Sequence, residues 1–197
     1  MASKIEIWNM ALGFIGTRTV AGETERTPEA VQCNLFWDNA RRMVLSQFPF
    51  NFAQKKRLLA EKKIEETFKG QWKYAYGLPS DCINPQAITD TNNFYERKYF
   101  EIVLTETGEK VLLCDKNPCK LHYTADVTDT SLYSELFINA LAYKLASLVV
   151  IPLLKNNSNK RQELEQLYQM AIADAVQLNA RQSKEKPYID SWIAARY

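Results

Sequence analysis

Four stretches of this chain carry apolar residues at helical spacing, and a fifth, between the second and third, alternates apolar and polar positions instead. The first helix is predicted over residues 3–16. Ser3 and Glu6 have the spacing of a capping box, Ile5, Trp8, Leu12 and Ile15 recur along one side, and Gly16 offers a left-handed stop. Thr27-Pro28 pairs an N-cap with proline at the first helical position and opens a helix over 28–47. Its apolar positions include Val31, Leu35, Trp37, Ala40, Val44 and Leu45. Phe48-Pro49-Phe50 closes it, because proline disfavours helical backbone in the residue before it. The third helix, 131–154, follows three competent N-caps, Asp129, Thr130 and Ser131. Leu136, Phe137, Ala140, Leu141, Leu145, Leu148 and Val149 cover more than one of its faces, so it must be surrounded. Pro152 and Lys155–Asn159 break the chain before a fourth helix, 159–181, capped by Ser158 or Asn159. Its stripe of Leu164, Leu167, Ala171, Ala175 and Leu178 suits antiparallel packing on the third helix.

Strand signals dominate residues 87–127. Lys98–Leu104 and Lys110–Cys114 flank a polar loop, Thr105–Glu109, in which Gly108 is available for positive φ, so the segment reads as a β-hairpin. Asn117-Pro118 makes the next turn, and Lys120–Ala125 forms a third strand with Leu121, Tyr123 and Ala125 alternating. Three strands with one apolar face need a second layer, which falls to the helices. The expected fold is α+β and mainly α: a helical bundle of about four helices with a small antiparallel β-rich insertion. It forms one domain over residues 1–181, followed by a C-terminal extension, 182–197.

Two segments fit this scheme less directly. Between Asn51 and Gly77, helical periodicity is allowed through Lys56–Phe68, yet Lys55, Lys56, Arg57, Lys62 and Lys63 leave only a thin apolar stripe. Residues 54–73 hold seven basic and three acidic side chains, which reads either as a phosphate-facing patch or, as charge runs usually do, as a solvated surface. In the extension, a charged spacer precedes Pro187, after which Tyr188 and Trp192, and Ile189 and Ile193, are spaced i,i+4, with Tyr197 at the end. Such aromatic anchors either fold back on the chain's own core or dock in a groove of another subunit.

Composition narrows the chemistry. The chain has 197 residues with 25 basic and 23 acidic side chains, so net charge argues for neither nucleic acid nor membrane. Its four cysteines, at 33, 82, 114 and 119, form no C-x-x-C, and with a single histidine, His122, no zinc site is expected; free thiols in a reducing compartment are. The N-terminus lacks the apolar core of a signal peptide. Residues 132–154 approach bilayer length but carry Glu135, Asn139 and Lys144, so they read as a buried helix. No Walker loop or G-x-G-x-x-G is present, and His122 sits in a strand pattern, which leaves no Ser-His-Asp arrangement. Acidic pairs such as Glu65/Glu66 or Asp126/Asp129 have the chemistry for glycosidase work, which further needs a cleft and a set separation of the carboxylates.

The order of landmarks resembles the head-to-tail adaptor family of short-tailed bacteriophages, the tail tubular protein A or gatekeeper-like connectors. The likeness runs through Trp8-Asn-Met-Ala-Leu-Gly-Phe-Ile-Gly16, Phe48-Pro-Phe-Asn-Phe-Ala53, Tyr74-Ala-Tyr-Gly-Leu-Pro-Ser-Asp-Cys82, and Tyr123-Thr-Ala-Asp-Val running into Phe137-Ile-Asn-Ala-Leu-Ala-Tyr-Lys-Leu-Ala146. It implies a helical bundle with a β-rich insertion and a structural role without catalysis, cofactor or metal. The implied partners are further copies of the chain in a ring, commonly of twelve, with the portal protein above and the tail nozzle below. Viral DNA would pass through the lumen without specific binding, and no membrane is involved. The implied location is the neck of a virion assembled in the host cytoplasm. The extension, through Tyr188, Ile189, Trp192, Ile193 and Tyr197, then has the portal or a neighbouring subunit as its partner. Two other readings stay open from the residues alone. One is a nucleic-acid-binding helical module that uses Lys55, Lys56, Arg57, Lys62 and Lys63 with Trp72, Tyr74 and Tyr76 as stacking groups. The other is a cell-wall glycosidase.

Overall fold

Capping signals set the ends of the first two helices. In the computed structural model, which describes residues 2–89, 99–155 and 157–182, α1 spans Lys4–Ile15. Ser3 Oγ accepts from the Glu6 amide while Glu6 accepts from the Ser3 amide, and Gly16 ends the helix at φ 74°. The next helix, α2 (Pro28–Gln47), has Thr27 as its N-cap and stops where Phe48 turns extended. α3 covers Glu135–Leu154 and α4 Ser158–Gln182.

The third helix begins later than the sequence predicts. Asp129 caps a separate 3-10 turn, Thr130–Leu132, and Ser134 is the N-cap of α3, its hydroxyl accepting from the Phe137 amide. The intervening Tyr133 donates its hydroxyl to the Val127 carbonyl at 2.6 Å, which pins the extended residues that separate turn from helix. For α4 the capping oxygen is Asn157 Oδ1, which accepts from the Lys160 amide, in place of Ser158 or Asn159. The buried side of α4 is Leu164, Tyr168, Ala171, Ile172, Ala175 and Asn179, a stripe rotated from the expected one because Leu167 and Leu178 are only half-buried.

Met1–Ala53 and Asp126–Gln182 form a helical unit, and Gln54–Ala125, inserted between α2 and α3, forms a β unit. In the helical unit, α1, α2 and α4 all pack against α3. By length and composition α3 would cross a membrane, yet eleven of its residues are buried around its circumference by protein. Aromatic side chains lock its first turn. Phe48, Phe50 and Phe52 follow one another along the chain leaving α2, and Phe50 and Phe52 lie 5.1 and 4.9 Å from the Phe137 ring, with Tyr133 at 4.8 Å from the same ring. On α1, Phe14 stacks on Tyr143 of α3 at 4.2 Å. Arg41 on the buried side of α2 reaches Asp126 through Nε and Nη2 at 3.1 and 2.9 Å and Asp38 at 2.7 Å, so its charge is matched where it is out of water.

The β unit is larger than the hairpin and single strand read from the sequence. Seven strands are present among the described residues: β1 (Gln54–Leu58), β2 (Glu61–Lys62), β3 (Tyr74–Gly77), β4 (Cys82–Thr89), β5 (Glu101–Leu104), β6 (Lys110–Cys114) and β7 (Lys120–Ala125). They make two antiparallel sheets, ordered β1-β7-β4 and β2-β3-β6-β5. The helix allowed over Lys56–Phe68 does not form; β1, β2 and a 3-10 turn at Glu66–Phe68 take its place. The hairpin of β5 and β6 has the predicted loop, with Gly108 at φ 80°. On β6, Val111 and Leu113 share one face with Ala75, covered by Ile64, Phe68 and Trp72, so the β2–β3 connection supplies that layer from within the unit. Leu112 and Cys114, on the opposite face, are buried as well.

One charged group lies inside the helical unit on α3 itself. Lys144 is 8 % exposed, and its Nζ donates to both carboxylate oxygens of Glu165 on α4 at 2.8 and 3.1 Å while lying 4.9 Å from the Tyr168 ring centre. Burial pushes the Glu165 carboxyl up, but the hydrogen bonds and charge of Lys144, together with hydrogen bonds from Ser147 and Gln169, outweigh it and hold the carboxyl below its ordinary value of 4.5. The pair therefore contributes fully above that value, and its contribution is lost as pH falls below it. The two partners are not equivalent, because the Glu165 side chain keeps 38 % of its exposure. Glu165→Ala strands a buried ammonium and is expected to cost about 2–3 kcal/mol in urea unfolding. Lys144→Met leaves a carboxylate that water can reach and is expected to cost no more than about 1 kcal/mol. Equal losses would show that the burial difference does not control the pair.

Candidate interaction surfaces

The basic segment becomes an edge. β1 pairs with β7 alone among the described strands, and Lys55, Lys56 and Arg57 are exposed along it. A charged edge strand resists pairing with another chain, which gives these residues a structural reason to be basic. Their charge is also partly matched from outside the segment. Lys55 Nζ lies 2.7 Å from Asp81 Oδ2, and the Tyr123 hydroxyl donates to Asp81 Oδ1 at 3.0 Å. Burial raises the Asp81 carboxyl, and the hydrogen bonds from Lys55 and Tyr123 lower it by more, so it stays ionised below the usual carboxylate range. Lys62, on β2, pairs with Glu109, and Lys69 pairs with Glu66. Lys63 follows β2 and is exposed. The structure thus gathers Lys55, Lys56 and Arg57 on one strand, while of the three rings expected to stack Tyr74 is half-buried on β3 and the other two are committed within the fold. Tyr76 is fully buried with its hydroxyl donating to the Lys116 carbonyl, and Trp72 packs into the sheet and donates to Glu101 at 3.1 Å.

A second surface escapes the sequence reading. Val31 and Leu35 are 52 % and 67 % exposed, and α2 instead buries Ala30, Cys33, Trp37, Ala40, Arg41, Val44 and Leu45. The reason is volume and aromatic packing. Trp37 meets Trp8 of α1 edge-on at 6.4 Å, which turns that side of α2 inward. Val31, Leu35, Asn39 and Met43 then recur every fourth residue along the outside. Leu35, Asp38, Asn39, Arg42, Met43 and Ser46 line an open cleft of about 550 Å³ on this side. The clue in the sequence was the choice between two overlapping apolar stripes on one helix, which periodicity alone does not rank.

Some of the groups with reactive chemistry are committed to structural contacts, whereas a hydrogen bond from Cys119 lowers the buried Cys114 thiol below its ordinary value. Asp126 is held by Arg41, and Asp129 accepts from the Ser131 amide as a cap, so neither carboxylate is arranged for acid–base work. A cleft of about 410 Å³ in the β unit is lined by Lys62, Gly77, Leu78, Pro79, Ser80, Cys82, Glu109 and Lys110, and it is open to solvent. Cys33, Cys82, Cys114 and Cys119 are free thiols. Burial pushes Cys33 up to about 12 and Cys82 up to about 11, which removes nucleophilic thiolate from both near neutral pH. Among the described residues, no three His, Cys, Asp or Glu side chains are grouped to hold a metal ion. Tyr188, Ile189, Trp192, Ile193 and Tyr197 lie outside the described residues. A scan against protein-family models and a search of curated proteins both find no match to this chain.

His122, the single histidine, stands in β7 opposite Lys56 of β1 and Ala87 of β4, 6 % exposed. Burial, and then the charges of Lys56 and Lys120, lower its pKa below the ordinary 6.5, so it is neutral in the folded protein. The unfolded chain takes up this proton near 6.5 and the folded chain only at lower pH, so stability is full above that value and falls as pH drops below it. Urea midpoints are expected to decline between neutral pH and pH about 5.5, and His122→Gln to flatten this part of the profile. An unchanged profile in the variant would mean that other groups titrate there.

Proposed function

We propose that this protein is a structural virion component, a head-to-tail adaptor that joins a portal to a tail nozzle and extends the DNA channel, without catalysis. The supporting observation is the nature of the residues that carry the resemblance. Trp8, Phe50, Tyr76, Tyr123 and Phe137, one or more from each landmark segment, are among the largest fully buried side chains in the molecule. The likeness therefore lies in framework positions, whose order and spacing reflect a fold, and the arrangement of a helical unit with a β unit inserted between α2 and α3 is in keeping with it. On this reading the protein works by assembly. Copies close into a ring, the expected number being twelve, through heterologous contacts. The extension bearing Tyr188, Ile189, Trp192, Ile193 and Tyr197 supplies the attachment to the portal or to a neighbouring copy. Ordering such a segment only on an assembled partner costs conformational entropy and makes attachment conditional on the portal being present. Near-neutral overall charge suits a lumen through which DNA must slide, and the place of action is the neck of the virion.

The alternative, a nucleic-acid-binding module built on the basic segment, retains the exposed Lys55, Lys56 and Arg57 but loses Tyr76 and Trp72 as stacking groups. Light scattering of the full chain, and of a chain ending at Gln182, each mixed with assembled portal from the same source, separates the readings. The full chain is expected to add to the portal as a ring and the shortened chain to stay apart. Failure of both to bind, together with DNA affinity that falls steeply with salt, would replace the adaptor reading with the alternative.

A further inference from the structure

The outer face of α2 has a composition that matches itself. We propose that it is a self-complementary contact through which two copies of this chain pair, with their α2 helices antiparallel about a two-fold axis near Asn39. Among the described residues of the helical unit, three of the five large apolar side chains that are exposed lie on it, Val31, Leu35 and Met43, the others being Leu132 and Met170. Between them stand one acid and one base, Asp38 and Arg42, with side chains 75 % and 60 % exposed. Each keeps free hydrogen-bonding capacity. Asp38 accepts from Arg41 through Oδ1, and Arg42 approaches Asp126 only to 3.7 Å through Nε.

Orientation follows from these positions. In a parallel pair Asp38 would face Asp38 and Arg42 would face Arg42, and like charges opposed across a contact are destabilising. Antiparallel, with the axis near Asn39, the centre of the face is complementary, while Val31 falls opposite Gln47 and outside the matched rows. Leu35 of one copy meets Met43 of the other, Asp38 meets Arg42, and Asn39 meets its own copy, amide to amide; each asymmetric pair occurs twice, as an isologous contact requires. With the axis at Asn39, Asp38 stands opposite position 40, two helical rises or roughly 3 Å from Arg42, a distance the long Arg42 side chain spans. Val31, Leu35, Asn39 and Met43 form an i±4 ridge, and two such ridges pack with their helices crossing at about 50°, which limits the contact to the centre of α2. The area is accordingly below the roughly 800 Å² per partner of a standard interface, and the pair is weak and concentration-dependent. A contact closed by its own two-fold does not build a ring, so this pairing does not depend on the adaptor reading.

Sedimentation equilibrium of the full chain over a concentration series tests it without any portal. The wild-type chain is expected to show a monomer–dimer equilibrium that Leu35→Lys abolishes. Asp38→Arg and Arg42→Asp, each alone, place like charges across the axis and are expected to weaken pairing about tenfold, whereas D38R/R42D in one chain restores it. All three sites are exposed, and Leu35→Lys breaks no ion pair, so its unchanged thermal melt shows that loss of the dimer is not loss of the fold; Asp38→Arg also removes the ion pair to Arg41, and its melt is read beside that of the double reversal. A chain that stays monomeric throughout, a dimer that survives Leu35→Lys, or a double reversal weaker than either single one would each overturn the proposal.

Discussion

The helical unit depends on α3 being too apolar, over most of its circumference, to be left in water. A helix with Phe137, Ile138, Leu141, Leu145, Val149 and Val150 buried, and Ala140, Ala142 and Ala146 between them, is stable only inside a sleeve of other helices. Burying each of its larger side chains contributes on the order of 1.5–3 kcal/mol, and this is the driving force that brings α1, α2 and α4 together. The alanines set how close those helices come. Lys144 is the exception that the sleeve has to accommodate, and it does so with a carboxylate from α4 and an aromatic ring on the same helix one turn away.

The same constraint explains the aromatic run after α2. Phe48, Phe50 and Phe52 alternate along extended backbone and then a 3-10 turn, so that two of the three rings reach Phe137 where α3 begins. Asn51 fixes the end of this run by taking two hydrogen bonds with Asn179 of α4, its amide donating at 2.8 Å to the side chain and its own side chain donating at 3.3 Å to the backbone. The chain therefore leaves the helical unit from a rigid position. It re-enters at Asp126, which Arg41 holds, so both points where the helical unit is interrupted are fixed by charged or polar contacts within that unit.

Inside the β unit, the order β2-β3-β6-β5 puts β6 between two neighbours, and both its faces are buried. β7 is likewise central in its sheet. Edge positions fall to strands that tolerate them: β1 carries three consecutive basic residues, and β4 carries Pro85 with register shifts on either side of it. The basic run and the proline are thus used by the fold to stop strand addition. Surfaces available for partners are the ones the packing leaves over, and the outer side of α2 is the most apolar of those in the helical unit.

Local chemistry decided a good part of this protein without help from the rest of the chain. Ser3, Glu6 and Gly16 bound α1, Thr27 and Pro28 start α2, Gly108 turns the β5–β6 hairpin, and the all-round apolarity of α3 demands its burial, because each of these effects acts over a few residues. Tertiary structure decided what local chemistry leaves degenerate. Residues 56–68 allow helical periodicity with only a thin apolar stripe, and pairing of Gln54–Leu58 with β7 and of Glu61–Lys62 with β3 takes the place of that helix. Ser131 and Ser134 are both good caps, and the hydrogen bond of Tyr133 to Val127 selects the later one. On α2, two apolar stripes compete for the core; Trp37 wins because it fills the space beside Trp8, and Val31 and Leu35 are turned out to solvent. The sequence alone sets which residues can be buried. Which of them are buried, and so which apolar groups remain outside to meet a partner, depends on volumes contributed by residues far away in the chain.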